Sequence, residues 1–408
     1  MINKALIYSF LSFGLIPILP TRILGLPVVL FVLAVLLSLI SNKAGLVRWK
    51  VLLLIISPYL IFFLSIFYSE NIGEAARKVL ETRLSLLIVP LSFSFLKEKQ
   101  LKLLDENKWL MKKIFVISTF IFCLIYFILL FFIPEAENPI FRFPSGFFFK
   151  SALSQIPFIK FDPVFISFII VITVIFLSEL FSQKKMNRFY IFLFLSFYIT
   201  VLLLMVSKLA IIFLIIFFVW FLFNQIKEQQ IRIYVFLGLI FCSFFVAKIP
   251  SINYEIKEIQ YFFKGKKLAA DDSTDVRKKI AISSFELAKI INPLFGVGIG
   301  DIQKKLNEVY EKKGYTELLE KKFDPHNQFL SMYISTGIIG LFSLFLVLIF
   351  CLRLCVKNKA WYQMWCVIFL FSQMLTESML ERQLTVIVFS IIISTIVFIP
   401  NEKKKLLL

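Results

Sequence analysis

Histidine is nearly absent from this chain, with one residue in 408. Cysteine is scarce as well, at five. No cluster of His, Cys, Asp and Glu offers the three or four ligands a metal needs, so neither a metal nor a cofactor is expected. Cys123, Cys242, Cys351, Cys355 and Cys366 all fall in or beside apolar stretches. The long polar segment 250–328 holds none, which excludes a disulfide framework there. Cys351 and Cys355 stand four apart on one expected helix, a spacing that packing explains and that gives only two metal ligands. A P-loop is also absent. Gly296-Val-Gly298-Ile-Gly300-Asp301 lacks the Gly-Lys-Ser/Thr of that motif and is not the dinucleotide fingerprint. It reads as a tight loop with close backbone approach, or as a nest of N–H groups for a phosphate. The chain shows no internal repeat and no separate low-complexity tract.

What it has in abundance is apolar surface. Hydrophobic residues make up 59% and phenylalanine alone counts 51, a composition outside the range of soluble domains. Apolar runs of about 20 residues, enough to cross a bilayer, recur from end to end. About twelve are expected, near 4–20, 24–41, 50–68, 75–96, 113–133, 163–182, 189–206, 208–224, 232–249, 329–352, 361–376 and 384–400. The first lacks a small-residue cleavage site and leads directly into further spans, unlike a signal peptide. The expected fold is an all-α polytopic membrane protein: a bundle over 1–249, an external loop over 250–328, and a second bundle over 329–408.

Formal charge is +19, which in a soluble protein would suggest nucleic acid. With the N-terminus in the cytoplasm and alternating spans, the cytoplasmic segments collect the basic residues: Lys43, Arg48 and Lys50, then Lys97, Lys99, Lys102, Lys108, Lys112 and Lys113, and later Arg353, Lys357 and Lys359. The short external turns are neutral or acidic. This positive-inside pattern puts both termini in the cytoplasm and 250–328 outside. The basic excess is a topology signal and needs no nucleic-acid partner.

Two external elaborations stand out. Residues 134–162 mix aromatics with Arg142 and Lys150, which suits a headgroup-level anchor or a substrate contact. In 250–328, the residues Ser273, Thr274 and Asp275 offer an N-cap. The helix that follows, 276–291, places Val276, Ile280, Leu287 and Ile291 near one face and charged residues on the rest. Arg277 then falls in the first turn, where a cation opposes the helix dipole, an arrangement compatible with holding an anion. Lys208, after Ser207 between two spans, is either a functional cation or a snorkelling lysine. Glu81 with Arg83, and Glu377 with Glu381 and Arg382, form two polar groups that read as internal ion pairs ordering the bundle.

The lone histidine, His326, lies where the long loop meets an apolar helix, in Phe323-Asp324-Pro325-His326-Asn327-Gln328-Phe329. It reads either as a chance interfacial residue or as a catalytic base. Asn327 can cap the following helix. The positive end of that helix would keep the imidazole neutral and attract an anion, which suits a base acting beside a phosphate leaving group.

Taken together, Arg277, Asn292-Pro-Leu-Phe-Gly-Val-Gly-Ile-Gly300, Pro325-His326-Asn327 and Thr336-Gly337-Ile-Ile-Gly340-Leu341 resemble the O-antigen ligase/O-antigen polymerase family of bacterial inner-membrane glycosyltransferases. The strongest match covers about 270–345. The resemblance implies the polytopic fold of lipid-linked-sugar glycosyltransferases and a donor glycan on undecaprenyl pyrophosphate. The acceptor would be lipid A-core sugar for a ligase or a lipid-linked repeat unit for a polymerase. It implies metal-independent chemistry at the periplasmic face. By position His326 would be the base, Arg277 and Lys208 would hold the pyrophosphate, and Asn327, Gly296 and Gly298 would support the site. Lys208 departs from the Ser-Arg usual in the family and loses a bidentate fork. Asp162 stands where many relatives carry a histidine. A flippase or exporter of lipid-linked glycan is the rival class, though the repeats and mid-membrane breaks common in transporters are not evident in the sequence.

Overall fold

The computed structural model describes residues 2–41, 48–130, 132, 163–205, 207–225 and 273–399. The expected span 232–249, the segment 134–162, Asp162 and Cys242 lie outside the described residues. Among those described, the secondary structure is helical, with no strand. Seven helices are long and apolar enough to cross a membrane, and three shorter apolar ones accompany them. Contacts divide the chain into two units.

The first unit takes residues 1–10, 25–107 and 273–408. Its elements are α1 (Ile2–Leu11), α2 (Leu26–Ser41), α3 (Trp49–Ser65), α4 (Ile72–Arg77), α5 (Ser85–Ser94) and the start of α6 (Glu98–Leu130). The second unit takes 11–24 and 108–272. It contains the rest of α6, then α7 (Pro163–Ser182), α8 (Arg188–Met205) and α9 (Lys208–Gln225). The chain returns to the first unit with α10 (Ser273–Ile290), α11 (Ile302–Lys312), α12 (Thr316–Lys321), α13 (Gln328–Lys357), α14 (Trp361–Met374) and α15 (Gln383–Phe398).

Two departures from the expected spans have clear causes. The basic stretch 98–113 is not a loop between spans. With neither Gly nor Pro to stop it, it forms one helix with the span that follows. Lys112 therefore sits inside α6, where its ammonium pairs with buried Glu179 of α7. Gln183 donates to the other oxygen of Glu179 at 3.0 Å, so this buried carboxylate is engaged on both sides. Expected span 75–96 is likewise interrupted. It begins as α4, passes through one π-turn at Lys78–Thr82 and resumes as α5. Arg83 sits at the interruption, wholly buried. Its partner is Glu381, not the neighbouring Glu81. The guanidinium also donates to the Lys78 carbonyl at 3.0 Å and lies 4.7 Å from the Phe62 ring centre.

The described segment ahead of α13 has its own apolar core. Ile280 and Leu287 of α10 pack with Ile302, Leu306, Val309 and Tyr310 of α11, with Leu318 of α12 and with Ile334 of α13. A break in α13 fastens this segment to the membrane helix. Gly337 adopts φ 67°, ψ −163°, a conformation essentially confined to glycine. In a continuous helix the N–H groups of residues 338 and 339 would bond to the carbonyls of Ile334 and Ser335. Here those carbonyls accept from Val297 and Gly298 at 2.9 Å, and the Ile338 N–H donates to the Pro293 carbonyl at 2.8 Å. A looped segment thus satisfies a broken helix, as burial within a membrane would require.

A Cβ at Gly337 would lie 2.1 Å from the Leu294 carbonyl oxygen. Gly337→Ala therefore meets both a forbidden conformation and a backbone clash, and should destabilise by more than about 1–3 kcal/mol. Gly314→Ala, also at positive φ but facing open space, should cost less. Thermal unfolding midpoints of the two purified variants check the order.

Candidate active site

The side chains around His326 come from three stretches of the first unit: the loop before α13, the second turn of α10 and the turn between α14 and α15. Asn327 caps α13 as expected. Its side-chain oxygen accepts from the Leu330 N–H at 2.9 Å, while its amide donates to the Leu375 carbonyl at 2.9 Å. One residue therefore fixes the start of the helix and ties it to the α14–α15 turn.

His326 itself has φ 46°, a left-handed conformation that few non-glycine residues adopt. Asp324 holds it there. Its carboxylate accepts from the His326 N–H at 2.8 Å, closing a side-chain turn over Pro325. Ser378 donates to the same carboxylate oxygen at 3.3 Å.

Glu377 brings the site together. One oxygen lies 2.9 Å from His326 Nδ1, and the other accepts from the Arg277 guanidinium at 2.9 Å. With Nδ1–H donating to Glu377, Nε2 becomes the lone-pair nitrogen of the ring. Glu377 is nearly buried, whereas Arg277 is about half exposed. Below it, Glu381 takes the buried Arg83 and accepts from Ser331 at 3.4 Å. Gln328 accepts from the Leu380 N–H at 2.6 Å. These contacts hold the 377–381 turn against α13.

The expected direction of the His326 pKa needs correction. The helix end was expected to keep the imidazole neutral, but two carboxylates face it. Burial does push its pKa down, yet the hydrogen bond to Glu377 and the negative charges of Asp324 and Glu377 outweigh burial and the opposing Arg277, and the result lies above the ordinary 6.5. Burial in turn pushes the Asp324 carboxyl up, against the lowering effect of His326. The helix dipole is a partial charge; a full carboxylate in hydrogen-bond contact is the larger effect.

Arg277 also sits differently from its expected place. Helix α10 starts at Ser273, so Arg277 lies one turn in, and its neighbour is Glu377 instead of an exposed helix end. Lys208 opens α9, in the second unit. Gly296 and Gly298 serve the attachment of the segment ahead of α13 to that helix. Their φ values are 69° and 91°, and a Cβ on them would strike the Ile334 carbonyl and Ser69. The N–H groups of residues 296, 297, 298, 300 and 301 all have partners within the protein. This removes the phosphate-nest reading of the loop. Asp301 continues the same clasp, accepting from the Glu70 and Asn71 N–H groups at 2.7 and 3.0 Å.

Sequence reasoning placed Glu377 in a structural ion pair and missed its contact with His326. The available signal was its position: an acid in the short turn between two apolar spans, in a chain with one histidine. Among the described residues no group of three His, Cys, Asp or Glu is arranged to hold a metal.

A comparison with family models matches residues 189–345 to the O-antigen ligase family. The match includes Lys208, Arg277, Asn327 and His326, and ends eight residues past the break at Gly337. Glu377 and Glu381 lie beyond it. No curated protein matches the chain.

If His326 acts as a base it must be deprotonated to do so, and activity should then rise with pH through a pKa above the ordinary 6.5. Glu377→Gln keeps an acceptor for Nδ1–H and removes the charge that raises the pKa. The acid limb of kcat/KM should then move to lower pH. Asp324→Asn preserves the turn around His326 while Asp324→Ala breaks it, so the alanine variant should lose more activity. A pH–rate profile for each variant checks both expectations.

Proposed function

We propose, from the match of residues 189–345 to the O-antigen ligase family, that the protein transfers a glycan from undecaprenyl pyrophosphate to a sugar hydroxyl of lipid A-core. The observation that carries this reading is Glu377 bridging His326 and Arg277, with the last two inside the matched domain. In the proposed reaction the acceptor oxygen attacks the anomeric carbon of the donor and His326 Nε2 takes its proton. The bond from that carbon to the pyrophosphate oxygen breaks, and its electron pair leaves with the pyrophosphate. Glu377 holds the imidazole through Nδ1 and stabilises its positive charge, as a carboxylate does in other base–carboxylate pairs.

Arg277 meets the leaving group. One of its five donors is engaged with Glu377, and its half-exposed guanidinium offers the planar face that suits phosphate oxygens. Lys208 is the second proposed pyrophosphate contact. In this reading both termini are cytoplasmic, and the site faces the periplasm of a bacterial inner membrane. The transfer uses cationic side chains in place of a metal.

Purified protein supplied with lipid-linked donor and acceptor tests the assignment. His326→Ala should lower kcat by about 10²–10⁴-fold, the usual contribution of a general base. Arg277→Ala should cost about 10–100-fold, corresponding to loss of a charged hydrogen bond. EDTA should leave the rate unchanged. Activity near wild type in His326→Ala would remove the base from the mechanism. Gel analysis of surface glycan after gene deletion separates the readings. Loss of all attached glycan supports a ligase. A single attached repeat unit assigns a polymerase of the same family. Donor stranded on the cytoplasmic leaflet assigns a flippase.

A further inference from the structure

The outward side of α10 is not the polar surface expected of a water-facing helix. The helix buries Ile280, Ser283, Ser284 and Leu287. Its opposite side exposes Ile282 and Phe285 among Lys278, Glu286 and Lys289, with Glu286 held at 2.6 Å by Lys313 at the end of α11, and Ile290 is exposed at the end of the helix. Leu294 and Phe295 continue that apolar edge, each about half exposed. Large apolar side chains with lysines between them form the composition of an interfacial helix, in which lysine stems lie along the acyl boundary and ammonium groups reach phosphates.

Two independent rulers place this edge relative to a bilayer. The first is α13. Between His326 and Arg353 it carries no charged residue. At about 1.5 Å per residue, an about 30 Å hydrocarbon core reaches back from Arg353 only to about Tyr333. Gly337 lies inside that limit, and the Leu294 carbonyl touches it. The second ruler is α3 with the turn after it. This span runs from Trp49 to Tyr68 over 20 residues, with partly exposed aromatics at both ends, as at two membrane interfaces. The Tyr68 hydroxyl donates to the Phe295 carbonyl at 2.8 Å, and the two rings meet edge to face. Both rulers put Leu294 and Phe295 at the membrane boundary on the His326 side. The edge also continues into the exposed apolar face of α13 at Ile338, Ile339 and Phe342.

We propose that the outward side of α10 and the tip at Leu294–Phe295 are embedded in the phospholipid leaflet on the His326 side, with Lys278 and Lys289 on anionic headgroup phosphates. The external segment is then a lipid-anchored element. Its attachment holds Arg277, at the start of α10, near the depth of the headgroups. The inference concerns the leaflet and stands whatever substrate the site takes.

The test uses the full chain in nanodiscs of mixed phosphatidylglycerol and phosphatidylcholine. A photoreactive benzoylphenylalanine replaces Phe285, Phe295, Phe342 or Glu311 singly, all exposed positions where folding is little disturbed. Lipid adducts are read by mass. Phe342 reports the membrane face of α13, and Glu311 an exposed charged position on α11. The yield at 285 and 295 should match that at 342 and exceed that at 311 by about tenfold. The phosphatidylglycerol share of adducts at 285 should exceed its share in the disc. It should fall to that share in Lys278→Gln/Lys289→Gln. Yields at 285 and 295 as low as at 311, or adducts to protein in their place, overturn the embedding. An unbiased lipid share in the unsubstituted protein overturns the headgroup contact.

Discussion

A helix broken within a membrane leaves backbone groups that no water can satisfy. In this protein the break at Gly337 is closed by residues 293–298, whose N–H and C=O groups take the places of the missing helical partners. The arrangement works in both directions. The helix keeps its polar groups bonded, and the segment ahead of it gains a fixed height on α13. Glycines at 296, 298 and 337 are needed because each lies where a Cβ would meet backbone or Ser69. Asp301 and Tyr68 fasten the far side of the same clasp. Helix α10 departs from this clasp, so the position of Arg277 follows from it.

On that platform the site is an assembly of opposite charges. Glu377 is engaged through both oxygens, by an imidazole and a guanidinium. Four residues on, Glu381 is paired with a buried arginine. Removing one member of such a buried pair costs about 3–5 kcal/mol, because the partner keeps its charge without its solvation. The lower pair therefore fixes the turn that carries the upper one. Electrostatic order runs from Arg83, deep among apolar helices, up to the half-exposed Arg277.

The sequence made legible whatever depends on neighbours along the chain. Apolar run length predicted the spans at 163–182, 189–206 and 208–224, and periodicity found the buried face of α10 through Ile280 and Leu287. Local chemistry found the cap at Asn327. What it missed depends on distant partners. Arg83 was grouped with Glu81 two positions away, while its partner is 298 positions along. Glu377 lies 51 positions after His326, so no window around the histidine contains it. The protonation tendency of His326 was misjudged for the same reason. A helix end can be read from sequence, but a carboxylate folded against the ring cannot.

The left-handed backbone at His326 also limits what can stand there. Glycine, asparagine and aspartate tolerate that region best, and none of these exchanges a proton near neutral pH in its unperturbed form, nor does lysine, which adopts it here at 184, 322 and 359. Branched residues are excluded by shape. Single substitutions at this position therefore divide into those the loop accepts and those it rejects, and neither group contains another ordinary neutral-pH base. Chain conformation and proton chemistry together make histidine hard to replace at the mouth of α13.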